Sequence, residues 1–425
     1  MSHVVVVGAG IAGTSAAFEL RETLPAEHRI TLVNPVPSFR FVPSNPWVAV
    51  GWRKEEQVTA PLDRQLERKN IDFVAQPVAK VDPAASALTL GDGSVLPYDF
   101  VVLATGPDLA FDEIPGFGPD AGRTVSICTL EHAQHAWEAY QRFVETPGPV
   151  VIGAAQGASC FGPAYEFAMI LDADLRKRRI RDKVPMTFVT SEPYVGHMGL
   201  GGVGDSQGLM ESEFRQRHIK WITNAKVDSV EAEQIAITTH DTHGQAVESL
   251  KIDYRFAMLL PAFRGVAAVR GAEGLVNPRG FVVIDEHQRN PAYPNVYAAG
   301  VGVALPPVEA TPVPTGAPKT GYMIESMVSA IAHNIAAELE GREPTATATW
   351  NAICLADMGD TGIAFVALPQ MPPRNVTWAK KGKWVHLGKI AFEKYFLRKV
   401  RQGAAETIYE RYVLKALGIE KLKAT

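Results

Sequence analysis

The stretch GAAQGASCFGPAYEF, residues 153–167, carries a thiol where a nucleotide-binding turn would need glycine. An apolar run, PGPVVI, leads into it, and a helical pattern, PAYEFAMILDADLRKRR, leaves it, with Pro163 placed to open the helix. Cys160 therefore stands beside a helix N-terminus, where positive potential favours the thiolate and lowers the thiol pKa. A thiolate there is a nucleophile and a redox group. The competing reading is an inert buried thiol, since free cysteines often serve as small hydrophobes. Proton carriers accompany the thiols. Glu166 lies early in the helix after Cys160, and His132 follows Cys128 by one turn in CTLEHAQHAW if that segment is helical. His197 follows TSEPYVG in a glycine-rich loop. An ordinary histidine titrates near neutral pH, so these groups are candidates for moving protons, against a plain capping or polar role.

Only three cysteines occur, Cys128, Cys160 and Cys354. They are too few and too dispersed for a secreted disulfide scaffold, and no CxxC offers zinc or thioredoxin-like chemistry, so no metal site is expected. The 425 residues, 46% hydrophobic and 21% charged, suffice for two or three domains. The first apolar run, HVVVVGAGIAG, has no basic flank or cleavage site, so no signal peptide is read. No stretch approaches the roughly 18 consecutive apolar residues of a membrane-spanning helix. The net charge of −4 hides an asymmetry: residues 380–425 hold twelve Lys/Arg against four Glu, a balance of +8 on a body of −12. A basic tail on an acidic body points to a surface partner for the tail alone. No nucleic-acid partner is expected.

The elements that must position these groups begin with VVVVGAGIAGTSAAFEL. A four-valine strand precedes Gly8, Gly10 and Gly13, and a helix pattern follows, the context that makes GxGxxG a dinucleotide turn. The first glycine makes the tight turn, the second admits the pyrophosphate, and the third lets helix pack on strand. The helix N-terminus adds amide donors for the phosphates. The next strand ends at Asn34, where Asp or Glu is usual; Asn still hydrogen-bonds a ribose. Two later strands, YDFVVLATGPDL and NPAYPNVYAAGVGVALPP, resemble the ATG and late glycine signatures of the glutathione-reductase-like flavoproteins with two dinucleotide domains. That resemblance implies FAD. In that family an Asp of the late strand binds the ribityl chain; Val301 stands here, leaving the contact to backbone amides near Gly300 and Gly302. The expected cofactor contacts are Gly8, Ala9, Gly10, Ile11, Ala12 and Gly13, then Asn34, Pro35, Val42 and Pro43. Thr105, Gly106, Lys319 and Gly321 complete them, with Lys319 to Gly321 facing the flavin pyrimidine edge.

The same family places a second Rossmann-like domain in mid-chain, normally for NAD(P)H. Here its turn reads G-A-A-Q-G-A-S-C, with glycine only at 153 and 157, and Phe161 adds bulk. Nicotinamide nucleotide binding is therefore not expected. In the tail, Trp384, Leu387, Ala391 and Tyr395 follow helical spacing, Ile390, Phe392 and Phe396 widen the stripe, and lysines and arginines intervene. Ile408, Tyr412 and Val413 repeat the arrangement. An apolar face beside a basic one describes a helix lying in the headgroup region; the alternative is a pair of helices packed on the body with lysines in water.

Taken together, GAAQGASCFGPAYEF, TSEPYVGHMGLGGVGDS, FVPSNPWVAVGW, ATPVPTGAPKTGYMIESM and ADMGDTGIAFVALPQ resemble the bacterial sulfide:quinone oxidoreductases over essentially the whole chain. The resemblance implies that Cys160 and Cys354 form a redox pair beside the flavin, with Cys128 accessory. It also implies that HS⁻ exchanges with that disulfide, or a sulfur-bridged version of it, to give a persulfide and a thiolate. Hydrogen sulfide, a membrane quinone of ubiquinone or menaquinone type, and a lipid surface are the implied partners. A homo-oligomer is left open. Phe392, Phe396 and Tyr409 become candidate quinone contacts, and Lys389 a positive charge near the flavin or quinone oxygen. The implied location is peripheral, monotopic, on the bacterial cytoplasmic membrane. The competing functions are a type II NADH:quinone oxidoreductase, a sulfide dehydrogenase passing electrons to a cytochrome, and a non-catalytic flavin-based sulfide sensor. The expected architecture is α/β: two Rossmann-like dinucleotide-binding domains plus a C-terminal amphipathic helical membrane-binding region. The FAD-binding domain takes 1–110 and 281–345, the second Rossmann-like domain 111–280, and the membrane and quinone region 346–425.

Overall fold

Near-continuous apolar runs form the centre of two parallel sheets. In the first, His3–Val7 (HVVVV) lies between Phe100–Leu103 and Arg29–Val33, with Val296–Ala298 and Asp72–Val74 at the edges. In the second, Val150–Ala154 (VVIGA) lies between Met186–Thr190 and Phe256–Leu260, with Ile219–Ile222 outside. Strands buried on both faces lose the polar–apolar alternation, which is why they read as unbroken hydrophobic runs. The chain adds later strands to opposite sides of each central strand, so its C-terminal end is the switch point where such sheets bind ligands. The computed structural model describes residues 1–406, 410 and 420–423.

The two turns differ. Only Gly8, Ala9 and Gly10 separate the first strand from its helix, Ile11–Thr23. In the second sheet, residues 155–161 intervene before the helix Gly162–Lys177 begins. The thiol thus sits in an enlarged turn.

The C-terminal region departs from an all-helical expectation. A three-stranded antiparallel sheet, Ala352–Asp357, Gly362–Leu368 and Val376–Gly382, precedes the tail helix Lys383–Gln402. Ala352, Ile363, Phe365 and Ala367 of the sheet enter the core around the second parallel sheet. Phe396, Leu397 and Val400 of the helix enter the core of the first. The region is therefore built into both cores.

The helix divides the apolar stripe between its two faces and turns three charges inward. Lys389, Glu393 and Lys399 are buried against the body, whereas Trp384, Leu387 and Phe392 face outward. The inward charges are paired: Lys389 with Glu166, Glu393 with Arg53 and Ser44, Lys399 with Glu325 and Glu410. Pairing is what makes their burial tolerable. Phe396 is fully packed against Phe39 and Phe41, while Phe392 touches Phe41 and remains partly exposed. Among the described residues no helix is long and apolar enough to cross a membrane. Tyr409, like Ile408, Tyr412 and Val413, lies outside the described residues.

Candidate active site

The candidate cofactor cradle is set by glycine. Gly8 adopts φ +102°, and a Cβ there would strike the Ala104 carbonyl oxygen at 2.4 Å; at Gly13 it would lie 1.8 Å from the Gly8 oxygen. These two glycines serve close packing of strand, turn and helix. At Gly10, Gly106 and Gly321 a Cβ would meet no protein atom within 4 Å. The helix Ile11–Thr23 has no side-chain cap at Gly10, so its first amides face that space, as a phosphate site requires. Asn34 Oδ1 accepts from the Ala9 amide at 3.1 Å and its Nδ2 donates to the Val36 carbonyl at 2.8 Å. It shapes the glycine turn. At the other end, Thr320 caps the helix Gly321–Leu339, and its buried Oγ1 has no protein partner. Residues with open glycine walls, two helix N-termini and an orphaned hydroxyl fit a flavin carrying a pyrophosphate.

The three thiols are free and partly buried, and Cys128 and Cys354 lie near enough to Cys160 to act on its charge. Burial pushes Cys160 up to about 12; the nearby Cys128 and Cys354 add to this, and Lys319 opposes it. Burial pushes Cys354 up to about 11, opposed by Lys389 and reinforced by Glu166. Burial pushes Cys128 up to about 11, opposed by a hydrogen bond to Ser126. Cys160 and Cys354 thus each feel the charge of a lysine. The expectation of a lowered Cys160 pKa is overturned. Its thiol precedes the cap residue Phe161, and desolvation outweighs the helix end.

The sign of this shift gives a prediction. The raised pKa values favour protonated thiols in the folded protein, so that contribution to stability is complete below the ordinary thiol range and lost as pH rises toward 11–12. Alkylation of the reduced protein by iodoacetamide at pH 8 is expected to run about a hundredfold slower than for free cysteine. It should climb roughly tenfold per pH unit. Rates equal to free cysteine would show that burial does not control these thiols.

Glu166 is buried in the helix after Cys160, and burial raises its pKa while Lys389 lowers it. It accepts from Lys389 Nζ and from the Asp357 amide at 3.2 Å. Asp357, fully buried, takes the Trp47 indole N–H at 2.7 Å and lies 2.6 Å from His386 Nδ1. Lys389 Nζ also stands 5.3 Å over the Trp47 ring. Asp357, His386, Trp47 and the Lys389–Cys354 proximity were not read from the sequence. A signal existed: Val385, Lys389, Glu393, Phe396 and Val400 lie at helical spacing on one face, so the lysine and glutamate had to enter with the apolar residues. Lys389→Ala leaves Glu166 buried without its cation and is expected to cost about 3–5 kcal/mol in urea unfolding. Lys389→Met combined with Glu166→Gln should recover most of this. Equal losses in the single and double variants would show that the pair is not coupled.

The two histidines have partners of their own. The helix Leu130–Glu145 starts after its cap Thr129, so Cys128 lies outside it and the expected one-turn relation to His132 fails. His132 sits with its ring 6.0 Å from Phe111, and burial lowers its pKa. His197 is buried, bonded through Nε2 to Glu309 at 2.8 Å and accepting at Nδ1 from the Gly199 amide. Burial lowers its pKa too, with Glu309 opposing. Its loop nevertheless reaches the Cys160 turn, because a Cβ on Gly199 would meet the Gly316 oxygen and the Phe161 ring.

Two parallel dinucleotide-type sheets, a candidate cofactor cradle and neighbouring thiols describe a flavin-dependent disulphide oxidoreductase architecture. Residues 2–309 match the pyridine nucleotide-disulphide oxidoreductase family. A sulfide-quinone reductase of Aquifex aeolicus is 43% identical over 415 residues, covering 97% of this chain and 94% of that protein. The crystal structure of the Aquifex aeolicus sulfide:quinone oxidoreductase superposes with TM-score 0.95 at 42% identity, over 100% of this chain and 98% of that one. NDH2 from Plasmodium falciparum shares the fold, with TM-score 0.72 at 14% identity over 99% of this chain and 100% of that one. The chain belongs to the pyridine nucleotide-disulphide oxidoreductases and, within them, to the sulfide-quinone reductase family. Its cofactor is a flavin.

Proposed function

We propose that this protein oxidises sulfide to sulfur or polysulfide through Cys160 and Cys354 and passes the electrons by way of FAD to a quinone at a membrane surface. The observation that carries the reading is the convergence of the thiols with a lysine beside each member of the pair. HS⁻ attacks one sulfur of the Cys160–Cys354 disulfide: a persulfide S–S bond forms, the original S–S bond breaks, and one thiolate leaves. Burial opposes that thiolate, and Lys319 beside Cys160 or Lys389 beside Cys354 offsets the cost. Glu166, held near Cys354 by Lys389, is the group placed to hold a proton there. The pyrophosphate-type turn at Gly8–Gly13 supports FAD over a mononucleotide. When bound, FAD supplies a two-electron acceptor that can hand its electrons to a quinone.

The outward stripe Trp384, Leu387 and Phe392, flanked by exposed Lys383, Lys394 and Arg398, supports attachment to an anionic lipid surface. Phe392, partly exposed on that helix, is the stronger quinone candidate; Phe396 is core. The organisation we propose keeps 1–110 with 281–345 for FAD and 111–280 as the second dinucleotide-type unit. His132 and His197 are left as peripheral candidates for proton movement, and Cys128 as an accessory thiol.

The test is an anaerobic sulfide titration of the holoprotein followed by addition of a quinone. Bleaching by sulfide and recovery on quinone are expected. Bleaching without recovery would favour a flavin-based sensor. NADH and NADPH are expected to leave the flavin oxidised on the turnover timescale, and stopped-flow bleaching by either one faster than by sulfide would overturn the reading.

A further inference from the structure

The enlarged turn of the second parallel sheet is covered by a piece of the same chain. Residues 311–317 (TPVPTGA) cross it, and Val313, Thr315 and Ala317 are buried there. The Gly157 amide donates to the Pro314 carbonyl at 2.7 Å, and the Gly316 amide donates to the Ala158 carbonyl at 2.8 Å. The Ala155 amide is taken by Leu260 at 2.9 Å. The Gln156 side chain both donates to and accepts from the Val227 backbone, at 2.9 Å each way. The crossing segment is braced internally by Thr311 Oγ1, which donates to the Val313 carbonyl at 2.7 Å and lies 3.1 Å from Thr315 Oγ1. Contact is close enough that a Cβ on Gly316 would sit 2.7 Å from that of Ser159.

In a dinucleotide fold these turn amides and the first turn of the following helix hold the pyrophosphate. Here the helix starts only at Gly162, and the amides of Ala155 and Gly157 already donate to the chain's own carbonyls. An entering nucleotide would have to break these bonds and expel a buried apolar segment, leaving buried donors and acceptors to find new partners.

We propose that residues 311–317 are a built-in strap that occupies the pyrophosphate position of the second dinucleotide fold and so excludes nicotinamide nucleotides as electron donors. Exclusion then resides in a segment remote in sequence from the turn, not only in the missing glycine. The strap runs on into Lys319 and the helix Gly321–Leu339, so the element that closes the nucleotide site also leads directly to the lysine beside Cys160.

The inference rests on the reading that sulfide is the donor, and its test uses ADP-ribose, which engages neither thiols nor quinone. Failure of the sulfide assay would remove the function, whereas failure of the ADP-ribose test removes only the strap. In the unmodified holoprotein the Gly157 and Gly316 amides should exchange slowly with deuterium, and ADP-ribose at about 1 mM should not bind by calorimetry. Two variants loosen the strap: Gly316→Val, which forces it from Ser159, and Pro312→Gly with Val313→Gly and Pro314→Gly, which removes its stiffness and its buried valine. Both should keep the flavin absorbance, exchange the two amides at least tenfold faster, and bind ADP-ribose with Kd on the order of 1 mM or tighter. Faster exchange without ADP-ribose binding would overturn the strap as the block and assign exclusion to the turn itself. Fast exchange in the unmodified protein, or unaltered exchange in the triple-glycine variant, would overturn the contact.

Discussion

Cys160→Ala and Cys354→Ala are each expected to lower sulfide-dependent quinone reduction by roughly three orders of magnitude or more, with flavin still bound. The cradle around Gly8–Gly13, Gly106 and Gly321 contains neither thiol, so cofactor retention and activity should separate. In the proposed mechanism the two cysteines act on one sulfur-transfer step, so the double variant should be no worse than either single one. Cys128→Ala should cost less than about tenfold, since the proposed sulfur transfer uses only Cys160 and Cys354. Steady-state turnover with sulfide and a soluble quinone, with flavin content by absorbance, decides the matter. Near-normal turnover in Cys160→Ala or Cys354→Ala would remove the two-thiol mechanism.

The second large effect concerns the outer face of the tail helix. Trp384→Asp with Leu387→Asp is expected to weaken binding to anionic vesicles a hundredfold or more. Inserting two such side chains is worth about 3–6 kcal/mol, and about 1.4 kcal/mol corresponds to tenfold. Trp384 is 52% exposed and Leu387 64% exposed, so folding and sulfide reduction of the flavin should hardly change. Quinone reduction in vesicles should fall with binding. Added salt should weaken the unmodified protein in part only, because screening acts on Lys383, Lys394 and Arg398 but not on the apolar stripe. Flotation of the double variant equal to that of the unmodified protein would reduce the stripe to surface decoration. Deleting residues 380–425 is no clean test, because Lys389, Glu393, Phe396 and Lys399 belong to the interior.

What the sequence determined alone are the features written in local pattern. The four-valine strand before Gly8, Gly10 and Gly13 required a tight turn into a closely packed helix, because only glycine permits φ +102° and contact with the Ala104 oxygen. The lost glycine in G-A-A-Q-G-A-S-C was equally visible, as were the unbroken apolar runs that became two parallel sheets. The tail's basic and aromatic spacing gave a helix, and it is one. What only the tertiary structure decided depends on groups distant in the chain. Whether Cys160 is acidified rests on how much protein surrounds it, and desolvation there outweighs the helix end that local reasoning favoured. Which face of the tail helix turns inward was settled by partners such as Glu166, Arg53 and Glu325, which no helical period reveals. The strap over the second turn likewise joins Gly157 to Pro314 across the fold. Local pattern specifies backbone geometry because sterics act between neighbours. Burial, charge pairing and occlusion act through space, so they wait for the chain to close on itself.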